Sequence, residues 1–186
     1  MIFVSTGGER HQRAAETALN YFSHGISCVE LSGGVYSATC EAELLQLPST
    51  MRLQVHNYFP PPQVPFVFNL ASTDSQVAVR SFDHVRAAMR LSVKLRRPIY
   101  SFHAGFRINP AVKELGNRLL KHTLTDRDTS LDLFGDRLAT LAEEARMEGV
   151  TLLIENNVIN RTNLQTYGED PLLLTHPDEI AKFMER

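Results

Sequence analysis

The stretch Pro98-Ile-Tyr-Ser-Phe-His-Ala-Gly-Phe106 decides the fold, read together with its counterpart Val150-Thr-Leu-Leu-Ile-Glu-Asn-Asn157. Each is a short apolar run of strand length, rich in β-formers and bounded by Pro98 or Gly149. Each ends abruptly in a side chain able to bind a metal or move a proton. The first run delivers His103 and the second delivers Glu155. A helical pattern lies between them, so both read as parallel strands of one βαβ unit whose polar ends emerge at the same edge of the sheet. That edge is where α/β proteins place their chemistry.

Working toward the N-terminus, three further strands are predicted: Ile2 to Ser5, Ile26 to Leu31 and Met51 to His56. Their polar tips are Ser5-Thr6, Glu30 to Ser32 and His56-Asn57. Helices are predicted from about Glu9 to Phe22 on the stripe Ala14, Ala15, Ala18, Leu19 and Phe22, and from Glu41 to Leu47, stopped by Pro48. The apolar, proline-rich stretch Phe59 to Leu70 reads as a loop that covers a site. Thr73-x-x-Gln76 has capping-box spacing and opens the clearest helix, with Ala78, Phe82, Val85, Met89, Ser92 and Leu95 in steps of three and four.

Working toward the C-terminus, Asn109-Pro110 predicts a short extra helix to roughly His122. A longer helix carries Leu131, Phe134, Leu138, Leu141 and Ala145, with Thr129 or Ser130 as cap and Gly149 as stop. After Glu155 comes a loop of about twenty residues, a length that is functional more often than decorative. Thr175 or His176 caps a last helix, with Pro177 in its first turn.

Strand, polar tip and helix thus recur through the chain, which reads as one α/β domain over residues 1–186. The architecture suits a (β/α)₈ TIM-type barrel or a doubly wound open sheet. No Gly-x-Gly-x-x-Gly follows the first strand, which removes the main support for the dinucleotide-binding version. A full barrel needs eight strands and typically about 250 residues. The expectation is therefore a TIM-type barrel truncated after about five βα units, or a half completed by a missing C-terminal portion or by another copy in a homo-oligomer. An open sheet competes with it.

A content of 43% hydrophobic and 22% charged residues fits an ordinary globular chain, and a formal charge of -2 gives no basic footprint for phosphate tracking, so nucleic acid is disfavoured. Cys28 and Cys40 lack metal-like spacing and suit a reducing cytoplasm. No signal peptide or membrane segment is expected.

The series His56-Asn57, Asn69-Leu-Ala-Ser72, Ser101-Phe-His-Ala-Gly-Phe106 and Leu153-Ile-Glu-Asn-Asn157 resembles the xylose-isomerase-like TIM-barrel superfamily. Sugar phosphate isomerases and epimerases and endonuclease IV-type nucleases belong to it. In the isomerase branch the resemblance implies one divalent ion, Mn, Mg, Co or Zn, held by a Glu on the fifth strand and by an Asp, a His and a second Glu from later strands. Glu155 matches the first, and the others would lie beyond Arg186. In the nuclease branch His56, His103 and Glu155 match positions of a multinuclear zinc cluster.

The resemblance implies a metal-dependent sugar or sugar-phosphate isomerase or epimerase, moving a proton through an enediolate. The alternatives are a zinc phosphodiesterase acting on abasic DNA and a non-catalytic partial barrel. Glu155 and His103 are the candidate catalytic residues, and with His56 the candidate metal ligands. A carboxylate directly after Leu152-Leu153-Ile154 is expected to be partly desolvated, which a hard cation would compensate. His56, Asn57, Glu30, Arg107 and Asn157 are candidate substrate contacts, while Arg107, Arg118, Lys121 and Arg127 form a candidate phosphate grip. Arg161 stands where some epimerases carry an acidic substrate contact. His11, His24, His84, His122 and His176 are expected at the surface.

Overall fold

The computed structural model describes residues 1–9 and 11–185. Five parallel strands form one sheet in the order β1-β2-β3-β4-β5. They are β1 (Val4–Ser5), β2 (Cys28–Leu31), β3 (Arg52–His56), β4 (Ile99–His103) and β5 (Thr151–Glu155). Spatial order follows chain order, so the sheet has no switch point. A doubly wound sheet must reverse direction at one, and the barrel-type reading therefore holds.

Helices alternate with the strands: α1 (Ala14–Ser23), α2 (Cys40–Leu45), α3 (Ser75–Lys94) and α4 (Arg127–Glu148), followed after β5 by α5 (Arg161–Tyr167) and α6 (Pro177–Met184). Among the described residues no helix is long and apolar enough to cross a membrane.

The chain divides into two compact units. The first comprises Met1–Pro65, His84–Phe102 and Glu144–Leu153. It holds the sheet up to the last residues of β4 and β5. The register Cys28↔Arg52, Val29↔Leu53, Glu30↔Gln54 and Leu31↔Val55 places the apolar residues of β2 and β3 on one face. Val29, Leu31, Val55, Tyr100 and Phe102 are fully buried there. Ala14, Ala15 and Ala18 of α1, Leu44 of α2 and Val85, Ala88 and Met89 of α3 supply the helical side of this core.

The second unit comprises Phe66–Asp83, His103–Glu143 and the residues from Ile154 on. Its core is Phe134 and Leu141 of α4, Phe183 of α6 and the run Leu172-Leu173-Leu174. The rings of Phe134 and Phe183 lie 5.3 Å apart at a tilt. Arg127 at the start of α4 grips Glu179 of α6 through Nε at 2.6 Å and Nη2 at 2.9 Å, a forked pair that fixes the two helix starts.

Several elements differ from expectation at their ends. Residues 11–13 are not helical; the chain forms a 3-10 turn over Thr6–Gly8, and α1 begins at Ala14. The cap of α3 is Asp74, not Thr73: its Oδ1 accepts from the amides of Gln76 at 2.8 Å and Val77 at 3.2 Å. Asp126 likewise replaces Thr129 and Ser130 as the cap of α4, accepting from the Thr129 amide at 2.9 Å. In both, a nearby carboxylate outcompetes the hydroxyl for the exposed amides.

The extra helix after Asn109 shrinks to the 3-10 turn Val112–Glu114. Buried Glu114 draws the following chain inward instead, accepting from the amides of Ala111 at 2.7 Å and Leu120 at 2.6 Å. Part of the expected loop after Glu155 is the helix α5, capped by the Asn160 side chain and ended by Gly168 at φ 74°.

Candidate active site

In the second unit, His103 and Glu155 stand at the last positions of β4 and β5. The Ala104 amide donates to the Glu155 carbonyl at 3.0 Å, which aligns the two strand ends. His103 Nδ1 and Glu155 Oε2 are 3.7 Å apart. An ion with ligands at about 2.0–2.2 Å joins atoms no more than about 4.4 Å apart, so this pair can share one. Both side chains are 42% exposed, so the Glu155 carboxylate is partly desolvated, as expected, and still reaches solvent.

A polar scaffold holds these tips. Buried Asn69 accepts through Oδ1 from the amides of Ala71 and Phe106, both at 3.0 Å. Its Nδ2 donates to the Phe106 carbonyl at 3.0 Å, the Ile108 carbonyl at 3.1 Å and Asn109 Oδ1 at 3.1 Å. Gly105 passes so close that a Cβ there would lie 2.7 Å from Ala71 Cβ and 2.8 Å from Asn69 Oδ1. Asn69 is the residue whose role sequence reasoning missed. Its signal was a lone amide inside the apolar stretch Phe66 to Ala71.

Asn157, expected to touch substrate, is buried and donates from Nδ2 to the carbonyls of Ala104 at 2.7 Å, Gly105 at 3.1 Å and Leu173 at 3.0 Å. Arg107 is 5% exposed and donates to the Thr125 carbonyl at 3.0 Å, Glu169 Oε2 at 2.6 Å and the Asp170 carbonyl at 2.9 Å. Of the candidate phosphate grip, Arg107 and Arg127 are therefore engaged in holding the fold, while Arg118 and Lys121 are exposed.

In the first unit, His56 ends β3 and is 8% exposed. Its Nδ1 lies 2.9 Å from Ser101 Oγ, and the two residues are partners in the β3–β4 register. Side chains alternate along a strand, so Ser101 and His103 share one face of β4, the face on which His56 stands. Asn57 follows with φ 47°, and its carbonyl accepts from Tyr100 Oη at 2.7 Å and His84 Nε2 at 2.9 Å. His84 is thus buried, not at the surface, and burial holds its pKa below the ordinary value even though the Asn57 bond raises it. His122 also departs from a plain surface role, with Nε2 3.1 Å from both oxygens of buried Glu114. Glu30, half-buried, lies on the face of β2 opposite Val29 and Leu31, in register with Ser5 and Gln54.

Cys28 and Cys40 are free thiols. Burial, then the charges of Glu43 and Glu41, push the Cys40 thiol up to about 11, which leaves it protonated at neutral pH and a poor nucleophile.

A family model described as a xylose isomerase-like TIM barrel matches residues 21–186. The chain belongs to this family. Solved structures show the same fold. A D-tagatose 3-epimerase-like protein superposes with a TM-score of 0.69 at 16% identity, over 99% of this chain and 60% of its own. L-ribulose 3-epimerase does so with a TM-score of 0.68 at 19% identity, over 99% and 56%. A Thermus thermophilus protein, TTHB071, soaked with ZnCl2, gives a TM-score of 0.55 at 20% identity, over 88% and 61%. This chain thus spans roughly three-fifths of the length of those proteins. No curated protein matches it. One imidazole and one carboxylate thus lie within reach of a common divalent ion.

Proposed function

We propose that this chain carries part of the site of a divalent-metal-dependent isomerase or epimerase acting on a sugar or sugar phosphate. The observation that supports the reading best is the His103–Glu155 pair at the ends of two adjacent parallel strands. In the first unit, Ser101 Oγ on Nδ1 fixes the orientation of the His56 ring. A bound divalent ion would supply Lewis-acid polarisation of adjacent substrate oxygens. Glu155 is the residue placed to take or return a proton at the carbon beside the substrate carbonyl, because a half-exposed carboxylate at a strand tip can reach bound substrate.

Glu30 and Asn57 are proposed to meet substrate hydroxyls, while Asn157 and Arg107 shape the rim through the loops they tie together. The names of the structurally similar proteins, a D-tagatose 3-epimerase-like protein and L-ribulose 3-epimerase, support a sugar as the substrate class.

Equilibrium dialysis against Mn, Co and Zn tests the reading. About one ion per chain is expected, with affinity falling at least about tenfold in Glu155→Gln. Unchanged affinity in that variant overturns it. Two or three zinc ions per chain would replace it with the zinc phosphodiesterase reading.

A further inference from the structure

A cavity in the first unit lies away from the C-terminal tip of β3. It opens at the N-terminal ends of β3 and β4, beside the C-termini of α2 and α3, with a volume of about 480 Å³. Four cationic side chains line it, Arg52, Lys94, Arg96 and Arg97, over an apolar floor that includes Leu47 and Met51. Glu41 pairs with Lys94 Nζ at 2.6 Å, and Arg97 Nε is tied to Gln54 Oε1 at 3.0 Å. The lining residues themselves carry no carboxylate.

Arg96 provides an independent observation. The end of α3 is a Schellman motif: the Arg97 amide donates to the Ser92 carbonyl at 3.0 Å and the Arg96 amide to the Val93 carbonyl at 2.9 Å. The residue at the turning point of this motif is left-handed and is ordinarily glycine. Here it is arginine, at φ 57°. A β-carbon there is strained, and the Arg96 guanidinium has no hydrogen-bond or ion-pair partner among the described residues. Backbone strain that the fold does not need marks functional positions. The same two bonds satisfy helix-end carbonyls that would otherwise repel an anion. Lys94 in the last turn already complements the helix dipole, so the dipole alone does not call for a second cation beyond the helix end.

We propose that this cavity is a binding site for a small organic phosphate. The guanidinium groups of Arg52, Arg96 and Arg97 match a phosphate dianion by forked hydrogen bonding, and the apolar floor covers the organic body. A cavity of this volume has the size of a small-molecule site. The position at the opposite end of β3 from His56 gives such a ligand the place of an effector rather than a substrate.

Calorimetric titration of the full chain with phenyl phosphate and with inorganic phosphate tests the proposal. Saturable binding of phenyl phosphate is expected, about tenfold tighter than inorganic phosphate, and weakened at least about tenfold in Arg96→Gly and in Arg52→Gln. Arg96→Gly is the decisive variant because glycine suits the left-handed turn, so its urea midpoint should equal or exceed that of the parent. No saturable binding at millimolar ligand, equal affinity for both phosphates, or undiminished binding in Arg96→Gly overturns the proposal. A lowered urea midpoint in Arg96→Gly would make Arg96 a helix-end stabiliser and overturn it as well.

Discussion

Replacing Gly105 by alanine isolates the scaffold that presents the strand tips. An added Cβ would meet Ala71 Cβ at 2.7 Å, Asn69 Oδ1 at 2.8 Å and the Ala71 amide at 3.1 Å. Real Cβ contacts do not reach the first two distances, and two of the three neighbours are backbone or backbone-fixed, so the loop itself must move. Overpacking of this kind costs about 1–3 kcal/mol. The movement also stretches the Asn69 bonds to Ala71 and Phe106, both 3.0 Å, whose net worth is about 0.5–1.5 kcal/mol each. The terms are coupled, because relieving the clash is what breaks the bonds, so the sum is about 2–3 kcal/mol rather than the full total. With a urea m-value near the upper end of about 1–3 kcal/mol/M for a chain of this length, the midpoint should fall by about 1 M. Gly8→Ala is the control. Nothing lies within 4 Å of a Cβ at Gly8, so its midpoint should stay or rise slightly. Equal midpoints for the two variants would refute the packing argument. The effect should also reach the adjacent His103: metal affinity in Gly105→Ala is expected to drop even though no ligand is changed.

Asp74→Ala removes the cap that serves Gln76 and Val77 and should cost about 1 kcal/mol in urea unfolding, whereas Thr73→Ala should be near neutral. His84 gives a pH signature. Burial lowers its folded pKa, so the unfolded chain takes up the proton more readily. The stability it contributes is complete above the unfolded value of about 6.5 and is lost as pH falls through the folded one. Urea midpoints measured downward from neutral pH should therefore decline less steeply in His84→Gln, and an unchanged slope would count against a buried neutral imidazole.

The parallel strand-and-helix alternation was legible because burial on the sheet's helix-facing side leaves a period in the letters. Val29, Leu31, Leu53, Val55, Tyr100 and Phe102 all announce it. The strand tips were legible for the complementary reason: His56, His103 and Glu155 interrupt apolar runs that have no use for them. What could not be read was where polar groups turn inward. Asn69, Glu114 and Asn157 look like loop residues in the sequence, yet each is buried as the hub of several backbone bonds. A loop's backbone amides and carbonyls must be satisfied somewhere, and which side chain does it depends on tertiary neighbours as far apart in sequence as Asn69 and Ile108. Helix starts failed for the same reason at short range, since Asp74 and Asp126 competed with nearby hydroxyls.

The strengths of these interactions separate what holds the site from what acts in it. A His–Glu pair at 3.7 Å with both side chains 42% exposed is worth about 0–1 kcal/mol as an ion pair. The buried Asn69 amide alone makes several bonds of about 1 kcal/mol each, and Asn157 adds more. The tips are therefore held by the loops beneath them, not by attraction between His103 and Glu155. Glu155→Gln should consequently leave the urea midpoint within about 0.5 kcal/mol of the parent while metal affinity falls. A large loss of stability in Glu155→Gln, with metal affinity intact in the folded fraction, would show the carboxylate to be structural.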